Sequence, residues 1–301
     1  MMSFGKFTDE VRQEVERKMP DKKVRTHVVE KNNGVSRTGI IIIGKGKAKA
    51  SEKELCPTIY LDNYYSMYNC RMADIKEIVR MIIDVYERNS TPVFGADILN
   101  SYESARSRIR SRLVNLEMNR KLLDKVPHKV WGDLAVVYYV CLHAGSTSAS
   151  TVINNSLMDY WKIGIDELIK ADEENNEQSL DEVYFKSMYE IFTNNNICER
   201  DYIPTDMYVL SNKTQSYGAG LLRNKTILSQ IADKIDNDLI IIPSSVHELI
   251  VMPYVSCFEV SELEKMIREV NGEINTEDIL SSHVYCYNRD KDDVVIGKAT
   301  D

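Results

Sequence analysis

Asn32-Asn33-Gly34 stands between two β-rich runs, residues 23–31 and 35–44. An Asn-Gly pair readily adopts the left-handed backbone of a tight turn between antiparallel strands, so these residues predict a hairpin. A third strand is expected over residues 58–61. Before the hairpin, Phe4, Phe7, Val11, Val15 and Met19 recur at spacings of three and four, and Arg17 and Lys18 close the segment, which predicts an amphipathic helix with its charge matched to the helix dipole. Beyond the strands, Ile75, Ile78, Val79, Ile82, Ile83 and Tyr86 predict a second helix over residues 72–88, stopped by Asn89-Ser90-Thr91-Pro92. The chain therefore opens as helix, three strands, helix.

The remainder alternates without a repeating βα unit. The arginine-rich residues 106–114 read as a strand, residues 117–123 as a short helix and residues 133–142 as a buried strand. Gly145-Ser146-Thr147-Ser148 reads as a loop, followed by helices over 155–161, 165–174 and 180–192. The run Asp172-Glu173-Glu174-Asn175-Asn176-Glu177 reads as a solvated linker. Strands are expected at 206–210, 239–242, 247–252, 284–287 and 294–296, with helices at 226–235 and 259–270. The fold class is α+β: mixed, mainly antiparallel sheets with packed helices, arranged in two lobes.

With 43% apolar and 28% charged residues and only 13 Gly and 7 Pro, the 301-residue chain has the composition of a folded protein, not a disordered one. Six cysteines form no Cys-x-x-Cys pair, which predicts free thiols. The first residues run straight into charge without a secretory apolar stretch, and the longest apolar run, residues 134–142, is about half a membrane span. A cytoplasmic protein with no membrane contact is expected.

Charge is unevenly spread. Residues 1–130 carry 25 basic and 17 acidic side chains, a net +8, whereas residues 131–301 carry 13 and 29, a net −16. The split predicts a basic lobe over 1–130 and an acidic lobe over 131–301. The basic half suits an anionic partner: a nucleic acid, a nucleotide or an acidic protein. It equally suits the acidic half of its own chain or of a second copy in a homo-oligomer. Two segments concentrate the charge. Lys45, Lys47 and Lys49 alternate with glycine and alanine and resemble a hairpin extension, since no Gly-Lys-Ser/Thr opens a helix there. Arg106, Arg108, Arg110 and Arg112 recur at every second position, so a strand would set four guanidinium groups on one face as an anion-binding row.

Ser244, Ser245, His247 and Glu248 bring a nucleophile, a base and a carboxylate together and make the hydrolase candidate. The surrounding sequence lacks the Gly-x-Ser-x-Gly elbow, and in a strand His247 and Glu248 would face opposite sides, so a structural corner is the stronger expectation. His27, His128, His143 and His283 form no metal-ligand spacing with one another or with His247, and neither metal nor cofactor is expected. Asp62 and Asp133 are scattered carboxylates at strand ends. Tyr60, Tyr64, Tyr65 and Tyr68 suit either a stacking surface or a core.

Several landmarks carry a resemblance: Asn32-Asn33-Gly34-Val35, Pro57-Thr58-Ile59-Tyr60-Leu61, Arg112-Leu113-Val114-Asn115, Asp133-Leu134-Ala135-Val136-Val137-Tyr138-Tyr139, Met207-Tyr208-Val209-Leu210-Ser211-Asn212, Pro243-Ser244-Ser245-Val246-His247-Glu248 and Val284-Tyr285-Cys286-Tyr287-Asn288-Arg289. In this order, from about Phe4 to Arg289, the chain resembles the bacterial family catalogued as domain of unknown function 5688. Cys286 and Asn288 depart from its pattern, where an Arg or other polar residue and an Asp are expected. The resemblance implies no activity, substrate or catalytic residue. It implies a context of gut-type anaerobes and their mobile elements, and with it a role in host and phage conflict. A binding protein is the first functional expectation, a hydrolase the second and a self-assembling structural protein the third.

Overall fold

The computed structural model describes residues 2–44, 58–89, 97–144, 147–176, 180–194, 206–255 and 259–297. These divide into two compact units, Met1–Arg108 with Val140–Thr151, and Ile109–Tyr139 with Val152–Asp301. The charge boundary between Val130 and Trp131 falls inside a strand of the second unit.

The first unit opens with α1 (Phe4–Lys18), whose N-cap Ser3 accepts a hydrogen bond from the Lys6 amide and whose buried stripe is Phe7, Val11 and Val15. The hairpin follows as β1 (Lys22–Glu30) and β2 (Ser36–Gly44), in antiparallel register from Lys22 opposite Gly44 to Glu30 opposite Ser36. Its turn is the one that Asn-Gly favours: Asn33 and Gly34 have φ of 56° and 70°, and the Val35 amide donates to the Asn32 carbonyl. β3 (Ile59–Tyr60) pairs antiparallel with β2, and α2 (Asp62–Asn69), α3 (Ile75–Asn89) and α4 (Tyr102–Ala105) follow. Phe7, Val11, Val15, Ile40, Leu61, Ile78 and Ile82 are all fully buried in one cluster. Each contributes about 1.5–3 kcal/mol by leaving water.

The next elements are β4 (Ile109–Asn115), α5 (Arg120–Leu123), β5 (His128–Trp131), β6 (Leu134–Ala144) and β7 (Thr147–Val152). β4, β6 and β5 form a sheet in that order, with β7 also paired to β6. Gly132 and Asp133 alone join β5 to β6, with Gly132 at φ 60°, as a two-residue hairpin turn requires. Then come α6 (Asn155–Trp161), α7 (Ile165–Asn175), β8 (Val183–Ser187), α8 (Met188–Asn194), β9 (Tyr208–Asn212), α9 (Lys225–Ile235), β10 (Leu239–Pro243), β11 (Leu249–Pro253), α10 (Val260–Asn271), β12 (Tyr285–Asn288) and β13 (Asp293–Ile296). A six-stranded sheet, antiparallel throughout, runs β13-β12-β10-β11-β9-β8. The molecule is thus α+β, with antiparallel sheets and packed helices.

Several expectations are corrected. The arginine row is not one strand: Arg106–Arg108 is a 3-10 turn and β4 starts at Ile109, so only Arg110 and Arg112 lie on it. The helix expected over 180–192 is a 3-10 turn, then β8, then α8, because residues 183–187 pair with β9. Part of the loop expected at 145–148 belongs to β7. The supposed acidic linker begins inside α7, where Asp172 is buried. Cys70 is a free thiol, as expected. Lys45, Lys47 and Lys49 lie outside the described residues.

Candidate functional site

Successive side chains of a strand face opposite ways, and in β4 this separates Ser111 from Arg112. A 3-10 turn over Gly218–Arg223 reaches both: Tyr217, its N-cap, meets Arg112, and Arg223, its last residue, meets Ser111. Tyr217 adopts the left-handed conformation (φ 56°). Gly218 fits against the corner that follows β10, where a Cβ would come within 2.6 Å of the Asn212 nitrogen and 2.7 Å of the His247 carbonyl oxygen. Only glycine allows that approach.

The Arg112 guanidinium carbon sits 4.5 Å from the centre of the Tyr217 ring. Its Nε is buried with no hydrogen-bond partner, and Arg112 forms no ion pair among the described residues. Tyr139 and His247 also pack against Tyr217, at ring-centre distances of 6.1 and 5.3 Å. A half-buried guanidinium on an aromatic face, without an anion, has donors left to offer. By contrast, Arg110 donates to the Ile109 carbonyl. Arg106 and Arg108 belong to the other compact unit.

The 244–248 corner is held by its own backbone. The Ser245 amide donates to the Glu248 carbonyl, the His247 amide donates to Ser245 Oγ, and Ser211 Oγ donates to the His247 carbonyl. His247 Nδ1 accepts the Tyr217 amide at 3.2 Å, and Nε2 faces Asp278 Oδ1 at 3.4 Å. Both ring nitrogens are therefore engaged. The Ser244 and Glu248 side chains form no hydrogen bond or ion pair among the described residues.

On the other side of β4, Asp172 is 5% exposed. Its carboxylate accepts from Ser111 Oγ at 2.6 Å and from the Asn176 amide, and Arg223 Nη1 lies 3.9 Å away. Burial pushes this carboxyl above the usual carboxylate range, against the lowering effects of Ser111 and Arg223. Burial also pushes the Tyr138 phenol up to about 12.

A second carboxylate, Asp133, collects three donors in the β5–β6 turn. Ser281 Oγ reaches Oδ2 at 2.6 Å, His283 Nδ1 reaches the same oxygen at 3.0 Å, and Tyr285 Oη reaches Oδ1 at 2.5 Å. Burial opposes ionisation here too, but the hydrogen bonds of Ser281, Tyr285 and His283 together hold the carboxyl below its usual value. Trp131 stacks on Tyr285 at 5.9 Å.

The candidate residues thus separate. Arg112 and His247 come together on Tyr217; Asp62 lies in the other unit, with Oδ2 buried and unpartnered. Ser111, Asp172, Arg223 and His283 gain their roles from partners distant in the chain, which no local pattern connects. Ser281-x-His283-x-Tyr285 was a visible spacing, but its shared partner is about 150 positions away.

No group of three or more His, Cys, Asp or Glu is arranged to hold a metal ion among the described residues. No helix among them is long and apolar enough to cross a membrane. No curated protein and no solved structure matches the chain. A family model does match, over residues 4–289, and its description is a family of unknown function. Spanning nearly all the elements above, that match makes this chain a member of the DUF5688 family.

Proposed function

We propose that this is a cytoplasmic, two-lobed binding protein whose basic N-terminal half is non-catalytic and contacts a phosphate-bearing partner, a nucleotide or a nucleic acid. Arg112 is the anchored contact. The observation that carries the reading is its guanidinium, fixed on Tyr217 with a buried, unpartnered Nε and no ion pair among the described residues. A buried donor left unpaired costs about 1–3 kcal/mol, and an arriving anion recovers that cost. Arginine forks match phosphate oxygens, and the excess of 25 basic over 17 acidic side chains in residues 1–130 favours the approach of an anion. The adjoining aromatic rings of Tyr217, Tyr139 and His247 suit a partner that also carries bases.

The test is a titration with nucleotides, short single-stranded DNA and RNA, and an acidic peptide, each at two salt concentrations. The reading expects binding of a phosphate-bearing probe that weakens with salt and is lost in Arg112→Ala. Capture of the acidic peptide alone would move the partner to protein. No binding at low salt would remove the reading.

A further inference from the structure

We propose that Asp133 and His283 form a general-base pair for ester hydrolysis: His283 Nε2 takes a proton from a water that attacks a carboxylic ester, and Asp133 is its positioning residue. This site is separate from Arg112 and does not depend on the binding reading. Its geometry begins in the residues that lead into β12 (Tyr285–Asn288). Ser281, His283 and Tyr285 are spaced two apart and all meet Asp133, while the intervening Val284, with Cys286, joins the apolar cluster of Ile240, Met252 and Ile267. The three polar residues thus gather on Asp133 while Val284 and Cys286 join the core.

An ionised carboxylate only accepts, so His283 Nδ1 must donate the hydrogen at 3.0 Å, which leaves Nε2 with its lone pair. The ring is fixed at one end and its side chain is 46% exposed, so Nε2 is within reach of water and solute. Ser281 Oγ donates to Asp133 and also accepts the His283 amide at 2.9 Å, which ties the backbone of the base to the carboxylate. Tyr285 holds the other carboxylate oxygen from a buried position under Trp131. Every atom that orients the imidazole is thereby itself held, as a positioned base requires.

An ester is the substrate class that one imidazole can serve. The water oxygen bonds to the carbonyl carbon as its proton passes to Nε2. The tetrahedral intermediate then breaks its bond to the alkoxy oxygen, and the imidazolium returns the proton to that leaving oxygen. Acid and alcohol are the products, and nothing is oxidised or reduced.

The test uses the full chain with p-nitrophenyl acetate and phenyl acetate across pH 5–9. Wild type should show a rate that rises with pH to a plateau, and H283Q should lose about 100-fold. Asp133→Asn should lower kcat about 10-fold with KM unchanged, because an amide no longer fixes the imidazole with Nδ1 as donor. Ser281→Ala should lower kcat in the same sense with KM unchanged, and it serves if Asp133→Asn does not fold. A merely structural role would leave kcat of the folded variants at the wild-type value. The proposal is overturned if H283Q matches wild type, or if kcat is unchanged in every folded variant.

Discussion

Asp172 and Asp133 are both drawn out of water within the same compact unit, yet their carboxyls move in opposite directions. Asp172 has two close neutral donors, Ser111 and Asn176, and a guanidinium only at 3.9 Å. Asp133 has three donors on its two oxygens, one of them an imidazole that can take a charge. Desolvation is the largest influence on each, so the difference lies in what is offered in return. The hydrogen bonds of Ser111 and Asn176 and the charge of Arg223 do not offset burial at Asp172; the hydrogen bonds of Ser281, Tyr285 and His283 at the more exposed Asp133 exceed it. A buried carboxylate is read by its donors, not by its depth alone.

The largest expected effect is at Asp133. Asp133→Ala leaves the buried Ser281 and Tyr285 hydroxyls without their acceptor and should cost about 3 kcal/mol in urea unfolding. A loss below about 1 kcal/mol would mean that the three bonds contribute little and would end the contrast. Next come the pH dependences, which should run in opposite senses. Asp133 is held below its unfolded value, so its stabilisation is present above about pH 4 and is lost as pH falls further. Asp172 is held above its unfolded value, so folding is favoured below about pH 4 and weakens as pH rises through the raised value. Asp133→Asn should therefore flatten the acid limb of a stability–pH curve, and Asp172→Asn the limb above it. Identical limbs in the two variants would break the comparison. At neutral pH, Asp172→Asn should cost about 1 kcal/mol or less, since it removes a poorly compensated charge and can keep the Ser111 contact; calorimetric unfolding measures it. The smallest change is expected for Arg112→Ala, within about 1 kcal/mol of wild type by the same method, because only a ring contact is lost.

Local chemistry was legible in the sequence and long-range pairing was not. Asn33-Gly34 announced its hairpin because the turn is encoded by two residues, and α3 announced itself by an unbroken apolar stripe. Residues 183–187 carry Val183, Tyr184 and Phe185, whose spacing fits a helix as well as a strand, and only β9 decides between them. Arg106 to Arg112 had the alternation of a strand, but the chain turns through Arg106–Arg108 before β4 begins. Asp172 looked solvated among its acidic neighbours; its burial depends on Ser111, 61 positions away. The Asp133 site was half visible, as three polar residues spaced by two, and its carboxylate came from a turn that composition alone could not connect to them.

The opposed directions of Ser111 and Arg112 on β4 bear on how this chain can change over generations. Replacing either residue alters the contacts on its own side and leaves the other side of the strand intact. Inserting or deleting one codon within β4 upstream of them, however, exchanges the two faces: the guanidinium turns toward Asp172 and the hydroxyl toward Tyr217. Point substitutions at these positions are thus open to gradual variation, while the reading length of β4 is not, and related chains should differ here in residue type but not in spacing.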